Sequence, residues 1–252
     1  MPDKSQILNL KSKILKLDIL VLAAHPDDAE LGCGGTILKH IALGHKVGVV
    51  DLTKGELGTR GTPETRAAEA AASSKVLGLS ARENLGLPDG FFLNEKEHQL
   101  EVVRAIRKYQ PDIILANARY DRHPDHGRGS EIAFEAAFLS GLSKVSTHSD
   151  GREQSPWRPK VVYHYIQSQW IEPDFIVDIS EQWDRKMEAI RAFRTQFYDP
   201  NNTEPDTYIS NPGFLKLLES RANELGHAIG VQYGEGFTVR RFIGVNALTD
   251  LL

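Results

Sequence analysis

A single cysteine, Cys33, stands in a chain of 252 residues, so no disulfide can form within it and a thiolate zinc cluster is excluded. Any metal held by this chain must rest on histidine and carboxylate. Positive charge is not in excess either: 30 Lys and Arg face 34 Asp and Glu, a net charge of −4, which argues against a nucleic acid or other polyanion as partner. No apolar run is long enough for a membrane span, and residues 1–16 are mixed and charged, unlike the apolar centre of a signal peptide. The expectation is a cytoplasmic protein with no membrane partner. No Pro/Gly/Ser-rich linker divides the chain and no repeat of fixed period runs through it. Residues 1–252 are therefore read as one domain, with 1–16 as an N-terminal extension.

What is present is an alternation of apolar runs and amphipathic stretches. Asp18-Ile19-Leu20-Val21-Leu22-Ala23 has the pattern of a buried strand. A helix is expected over 31–42, with Ile37, Leu38, Ile41 and Ala42 on one side and Gly44 ending it. A second strand at 46–52 leads into a mobile loop over 53–61. Thr62-Pro63-Glu64 then opens a helix with a capping residue, proline at its first position and an acid in its first turn, and Gly78 closes it. After a short strand at 84–87, Asn94 and Glu97 resemble a capping box for a third helix that Pro111 stops. Residues 112–117 read as a buried strand, 132–139 as a helix, and the polar stretch 140–159 as a flexible flap. Strands at 160–166 and 175–179, a helix over 181–197, a turn at 198–202, a helix over 213–229 and a strand at 238–245 complete the reading. Such alternation gives an α/β fold whose mostly parallel, doubly wound sheet is flanked by helices, with successive strand ends brought to one edge.

Two segments at expected strand ends carry chemistry. The first is Ala24-His25-Pro26-Asp27-Asp28-Ala29-Glu30, and the second is Arg119-Tyr120-Asp121-Arg122-His123-Pro124-Asp125-His126-Gly127. Pro26 fixes its own φ and keeps His25 out of the α region, so the first segment is a stiff turn. In an open α/β sheet, ligands bind beyond the carboxyl ends of the strands. His25, Asp28 and one of His123 or His126 would supply three protein ligands and leave a place for water, the usual pattern of a catalytic zinc site. A bound ion of this kind lowers the pKa of water from about 15.7 to about 7. Asp27 is placed to take the remaining proton. The leftover histidine can donate to a developing oxyanion or leaving amine, with Asp125 or another acid orienting it. Both segments are thus explained by one reaction, the metal-assisted hydrolysis of an amide or ester.

Plainer readings exist for each residue. One His-Pro at a strand end is usually a turn, whereas two on adjacent strand ends point to a site. Asp27 and Asp125 also suit helix N-caps. Cys33 is expected to pack as a small apolar residue, and the Trp183-Met187-Ile190 stripe to be core or subunit interface. His40, His45, His98, His148, His164 and His227 stand alone and are assigned no role. Two rivals come from other classes. Gly32-Cys33-Gly34-Gly35 after the first strand, with Asp51 ending the second, imitates a dinucleotide fingerprint, but its third glycine would fall at Ile37 and three nearby acids would crowd a pyrophosphate. A metal-binding module without catalysis leaves Asp27 and His123 unexplained.

His25-Pro26-Asp27-Asp28-Ala29-Glu30 together with His123-Pro124-Asp125-His126 resembles the zinc-dependent N-acetylglucosaminyl deacetylases, the LmbE-like or PIG-L family. Softer segments resemble the branch that acts on N-acetylglucosaminyl malate in bacillithiol biosynthesis. These are Gly32-Cys33-Gly34-Gly35-Thr36, Thr53-Lys54-Gly55-Glu56-Leu57-Gly58-Thr59-Arg60-Gly61, Leu87-Pro88-Asp89-Gly90, Arg194-Thr195-Gln196-Phe197 and Gly234-Glu235-Gly236-Phe237. The resemblance implies a Rossmann-like three-layer fold, zinc (or iron in the cell) held by His25, Asp28 and His126, and Asp27 as general base. It also implies His123 as oxyanion-stabilising acid oriented by Asp125, and a C-terminal tyrosine, matched here to Tyr208, beside the oxyanion. Arg60 or Arg119 would take the substrate's malate carboxylates, since a guanidinium pairs with such groups. A homo-oligomer, hexameric, in the bacterial cytosol is the further expectation.

Overall fold

The computed structural model describes residues 15–197, 199 and 202–251. Most of the expected N-terminal extension, and Tyr198, Pro200 and Asn201 of the expected turn, lie outside these residues. In chain order the elements are β1 (Ile19–Ala23), α1 (Asp28–Ala42), β2 (Val47–Thr53), α2 (Pro63–Leu77), β3 (Ala81–Leu87), α3 (Lys96–Tyr109), β4 (Ile113–Ala116) and α4 (Pro124–Leu139). There follow β5 (His148–Ser149), β6 (Arg152–Glu153), β7 (Val161–Tyr165), β8 (Phe175–Asp178), α5 (Trp183–Arg191), α6 (Phe214–Ala228) and β9 (Gly234–Val239).

Seven strands form one sheet in the order β3-β2-β1-β4-β7-β9-β8. The first five pair in parallel, and β9 runs antiparallel to both of its neighbours. The sheet is therefore mostly parallel, as expected, with one reversed strand near its edge. One apolar layer packs α3 and α4 residues such as Val103, Ile106 and Ile132 on the sheet, and another packs Ala29, Cys33 and Ile37 of α1 and Ala189 of α5 on its other face. This is a three-layer α/β fold. Every residue of β1 is buried, because neighbours cover it on both edges and helices cover both faces. The chain leaves β1 towards β2 on one side, while β4 lies on the other. The crevice between the ends of β1 and β4 is the topological switch point, where open α/β sheets bind ligands.

Several boundaries differ from the sequence reading. α1 starts at Asp28, not Leu31, because Asp27 turns the chain with φ 116 and ψ −25, and Cys33 interrupts the helix at φ −146. Glu235 of β9 accepts the Gly35 and Thr36 amides at 2.9 and 2.7 Å, capping the restarted segment. The glycines have a packing reason: a Cβ on Gly32 would lie 2.2 Å from the Tyr165 ring, and one on Gly35 2.7 Å from Ile179. α4 begins at Pro124, eight residues earlier than expected, with His123 as N-cap; Gly127 and Gly129 mask its first turns. The Asn94 capping box is not formed, since the Asn94 amide donates to Glu135 at 2.7 Å and accepts from Gln99. The last strand lies at Gly234–Val239, and Phe242, Ile243 and Val245 beyond it are exposed. The expected helix over 181–197 is a 3-10 turn followed by the shorter α5, and its Trp183, Met187, Ile190 and Phe193 sit in the core with Tyr233.

The stretch 140–159 is not a loose flap. It contains the β5–β6 hairpin, and buried Arg107 donates to Ser140 O, Leu142 O, Val145 O and Thr147 Oγ1 at 2.6–3.0 Å. Arg107→Ala leaves those acceptors without their charged donor. We expect about 2–4 kcal/mol lost in urea unfolding and faster amide exchange over 140–157.

His164 on β7 is buried, with Nδ1 3.0 Å from Asn117 O and 2.9 Å from Ser130 Oγ. Burial lowers its pKa to about 4. A depressed histidine contributes stability that is complete above its unfolded value of about 6.5 and is lost as pH falls towards the folded value. NMR at pH 5.5 should find the His164 ring neutral.

Candidate active site

Pro26 and the positive φ of Asp27 set the first loop in a stiff turn just past β1. A left-handed conformation is uncommon for a residue with a side chain, and aspartate is among those that tolerate it. The second loop follows β4 and ends at His123, whose Nδ1 accepts the Asp125 amide at 3.3 Å and caps α4. Asn117 joins the two: its Oδ1 takes the Ala24 amide at 2.8 Å and its Nδ2 donates to Asp28 Oδ2 at 3.0 Å. Gly129 lets α4 approach it, as a Cβ there would lie 3.1 Å from Asn117 Oδ1.

Asp28 is the meeting point of the loops. Its Oδ2 lies 3.4 Å from His25 Nδ1 and its Oδ1 3.1 Å from His126 Nε2. The other nitrogen of each ring is held by acid. His25 Nε2 is 3.0 Å from Asp89 and 3.4 Å from Asp125, and His126 Nδ1 is 2.5 Å from Asp121. Ring nitrogens anchored on carboxylates with their partners turned inward are the outer shell that metal-ligating histidines have. The rings of His25, His123 and His126 cluster with centroids 4.6–5.7 Å apart, and one nitrogen from each lies within 4.8 Å of the others. The donor set of imidazole and carboxylate, surrounded by further acids, fits a divalent ion such as zinc.

Electrostatics follow from this packing. Burial pushes the Asp27 carboxyl up to about 7 against the opposing charge of Arg66. Asp28 is also buried, but His126 and His25 hold its carboxyl well below the ordinary range. Burial and the two neighbouring histidines lower the His123 pKa. Arg66 is buried beside Asp27, with Nη2 3.4 Å from its carboxylate and 2.6 Å from Pro26 O, so it also braces the strained turn.

These groups line one side of a cavity of about 460 Å³, a size that encloses a small molecule. Leu31, Ile209, Phe214, Leu217, Leu218 and Leu225 line it as well. His25, Asp27, Asp28, His123, His126 and Tyr208 all border this cavity, so the structure brings them together. Asp125 is fully buried, and its carboxylate takes the Gly90 amide at 2.7 Å and Arg128 at 2.8 Å while facing His25; its link to His123 is through its own amide. Arg60 and Arg119 are not in the cavity wall. Arg60 is buried against the 204–206 loop and Arg119 is exposed, whereas Arg66, Arg122 and Arg221 line the cavity.

Sequence reasoning assigned no role to Asp89, Asp121, Asn117 or Gln167. Asp121 stands two residues before His123 and Asp89 within Leu87-Pro88-Asp89-Gly90, so both were within reach. Gln167, which donates to Asp28 Oδ1 at 2.9 Å, follows β7 with no local pattern to mark it. Asp51, the acid of the dinucleotide imitation, is bound by Nε and Nη2 of Arg82 at 2.8 and 3.0 Å. With Gly32 and Gly35 serving helix packing, the dinucleotide imitation is explained by the fold.

Residues 20–137 match the GlcNAc-PI de-N-acetylase (PIG-L) family. The diacetylchitobiose deacetylase of Thermococcus kodakarensis is 30% identical over 189 residues, covering 71% of this chain and 70% of that protein. The chain belongs to the PIG-L family. The 4-oxalmesaconate hydratase of Pseudomonas putida is 26% identical over 192 residues, or 70% of this chain and 73% of its own. Among solved structures, the conserved protein TT1542 from Thermus thermophilus superposes with a TM-score of 0.81 at 36% identity, covering 91% of this chain and 98% of that one.

Asn117→Ala and Gln167→Ala each remove one side-chain hydrogen-bond donor from Asp28. If the site holds a divalent ion, its affinity for added zinc, measured by competition with a chromogenic chelator, should fall about 10- to 100-fold in each.

Proposed function

We propose that this PIG-L family member is a metal-dependent N-deacetylase of amino-sugar conjugates. The substrate we assign is N-acetylglucosaminyl malate, in the bacterial cytosol, with zinc (or iron in the cell) as the ion. The observation that carries the reading is Asp28 set between the inward nitrogens of His25 and His126, with Asp27 and His123 on the same cavity wall. The similarity to a diacetylchitobiose deacetylase supports it. In this reading His25, Asp28 and His126 hold the ion and His123 does not, because its Nδ1 is engaged by the Asp125 amide.

When bound, the ion polarises the amide carbonyl and acidifies water. The protein's own groups do the rest. Asp27 accepts the proton of the attacking water. His123, with Nδ1 engaged as an acceptor, carries its hydrogen on Nε2 and gives the developing oxyanion a hydrogen bond, and the proton that Asp27 took from water passes to the departing amine. Asp125 orients His123 through its backbone amide, and the Tyr208 hydroxyl gives a second donor to the oxyanion. Arg122, which lines the cavity where Arg60 and Arg119 do not, takes the malate carboxylates. The assembly we assign is a homo-oligomer, a hexamer.

Asp27→Asn should bind as much metal as the parent and lose about 10²- to 10⁴-fold in kcat for acetate release. A parent-like rate would end the assignment. His126→Ala should lose the metal and His123→Ala keep it, by metal analysis of the purified variants; the reverse would exchange their roles. Hydration of an unsaturated oxo-acid without acetate release would instead place the protein with its hydratase relative.

A further inference from the structure

Arg60 was expected to meet substrate, yet its guanidinium is 4% exposed and turned away from the cavity wall. Its Nε donates to Pro205 O at 2.7 Å, and its Nη2 donates to Glu204 O at 3.1 Å and Asp206 Oδ1 at 2.9 Å. Two neighbouring bonds reinforce the junction. The Gly61 amide donates to Glu204 Oε1 at 3.0 Å, and Gln196 Nε2 donates to Arg60 O at 2.9 Å. Five hydrogen bonds thus join the loop after β2 to residues far along the chain. The segment held this way continues into Thr207, Tyr208 and Ile209, all of which line the cavity. Beyond them, Ser210 and Thr207 close a turn on each other, at 2.7 Å from the Thr207 amide and 3.2 Å from the Ser210 amide.

The ring of Tyr208 stacks under the Arg122 guanidinium, 4.3 Å from ring centre to guanidinium carbon, and meets Phe214 edge-on at 5.6 Å. Arg122 directly precedes His123. Tyr208 itself is 43% exposed, and a half-exposed ring is poorly fixed by burial alone. What sets its position is the backbone that carries it, and that backbone is pinned at 204–206 by a buried charged donor. Hydrogen bonds from an ionised donor to backbone carbonyls are stronger than neutral ones and directional.

We infer that Arg60 is a positioning residue: it latches the 204–206 backbone so that Tyr208 is presented to the cavity beside Arg122 and His123. This rests on the deacetylase reading for its kinetic consequence, though not for its structural one. Arg60 acts through Tyr208, touching no substrate, so its loss matters only as far as Tyr208 matters.

The test combines exchange and kinetics on the full chain. In Arg60→Ala, amides of 204–210 should exchange at least about tenfold faster than in the parent while α3 and β1 are unchanged. Deacetylation of an N-acetylglucosaminide should show kcat about tenfold lower, with metal content equal to the parent's. Arg60→Lys, which keeps the charge without the fork, should fall between the two. It serves for the same comparison if the alanine variant does not fold. In a double-mutant cycle, Arg60→Ala added to Tyr208→Phe should cost less than about twofold beyond Tyr208→Phe alone. Independent, multiplying losses, or unchanged exchange over 204–210, would overturn the inference. If the parent releases no acetate, the deacetylase reading falls and the exchange comparison still decides the latch.

Discussion

The carboxylate of Asp28 ties together two loops that leave β1 and β4. It takes contacts from His25 on its own loop and from His126, Asn117 and Gln167 on others, all within 3.4 Å. A buried charge of this kind persists only if every oxygen is satisfied, and removing one partner of such a set costs about 3–5 kcal/mol. The surroundings are arranged to meet that demand. Asn117 bridges the strand ends, Gly129 makes room for it, and the acids behind the two histidines fix which ring nitrogen turns inward.

Around that point the backbone is stiff. Pro26 and the left-handed Asp27 set one loop, braced by Arg66, and Pro124 with the His123 cap sets the other. The opposite wall comes from α6 and from the segment bearing Tyr208, tied to the body through Arg60. A deacetylase and a hydratase both stand among the relatives of this chain, so the family's fold by itself does not fix the reaction.

Much of the fold was legible because hydrophobic period and punctuation are local. The strands β1, β2, β4 and β7, the Thr62-Pro63 helix start and the last long helix were readable from a few neighbouring residues. Where glycine served packing, local propensity misled: α4 was shortened by Gly127 and Gly129, and the last strand was placed four residues late because Gly234 and Gly236, which lie close to α6 and its neighbours, do not read as strand. The polar stretch 140–159 read as a flap because the residue that orders it, Arg107, lies in another helix. Likewise Gln167 and the roles of Arg66, Arg122 and Arg221 had no signature of their own.

The sequence by itself determined the alternation of strand and helix, the exclusion of an internal disulfide and of a thiolate zinc cluster, and the identity of the two histidine-aspartate segments. These depend on residue type and short spacing, which survive without coordinates. Tertiary structure alone decided that the segments meet, that Asp89 and Asp121 stand behind the histidines, and that Arg60 faces a backbone instead of the cavity. Such facts depend on which groups the sheet order and helix packing bring within about 3 Å of one another, the range over which a hydrogen bond acts, and no separation along the chain encodes that distance.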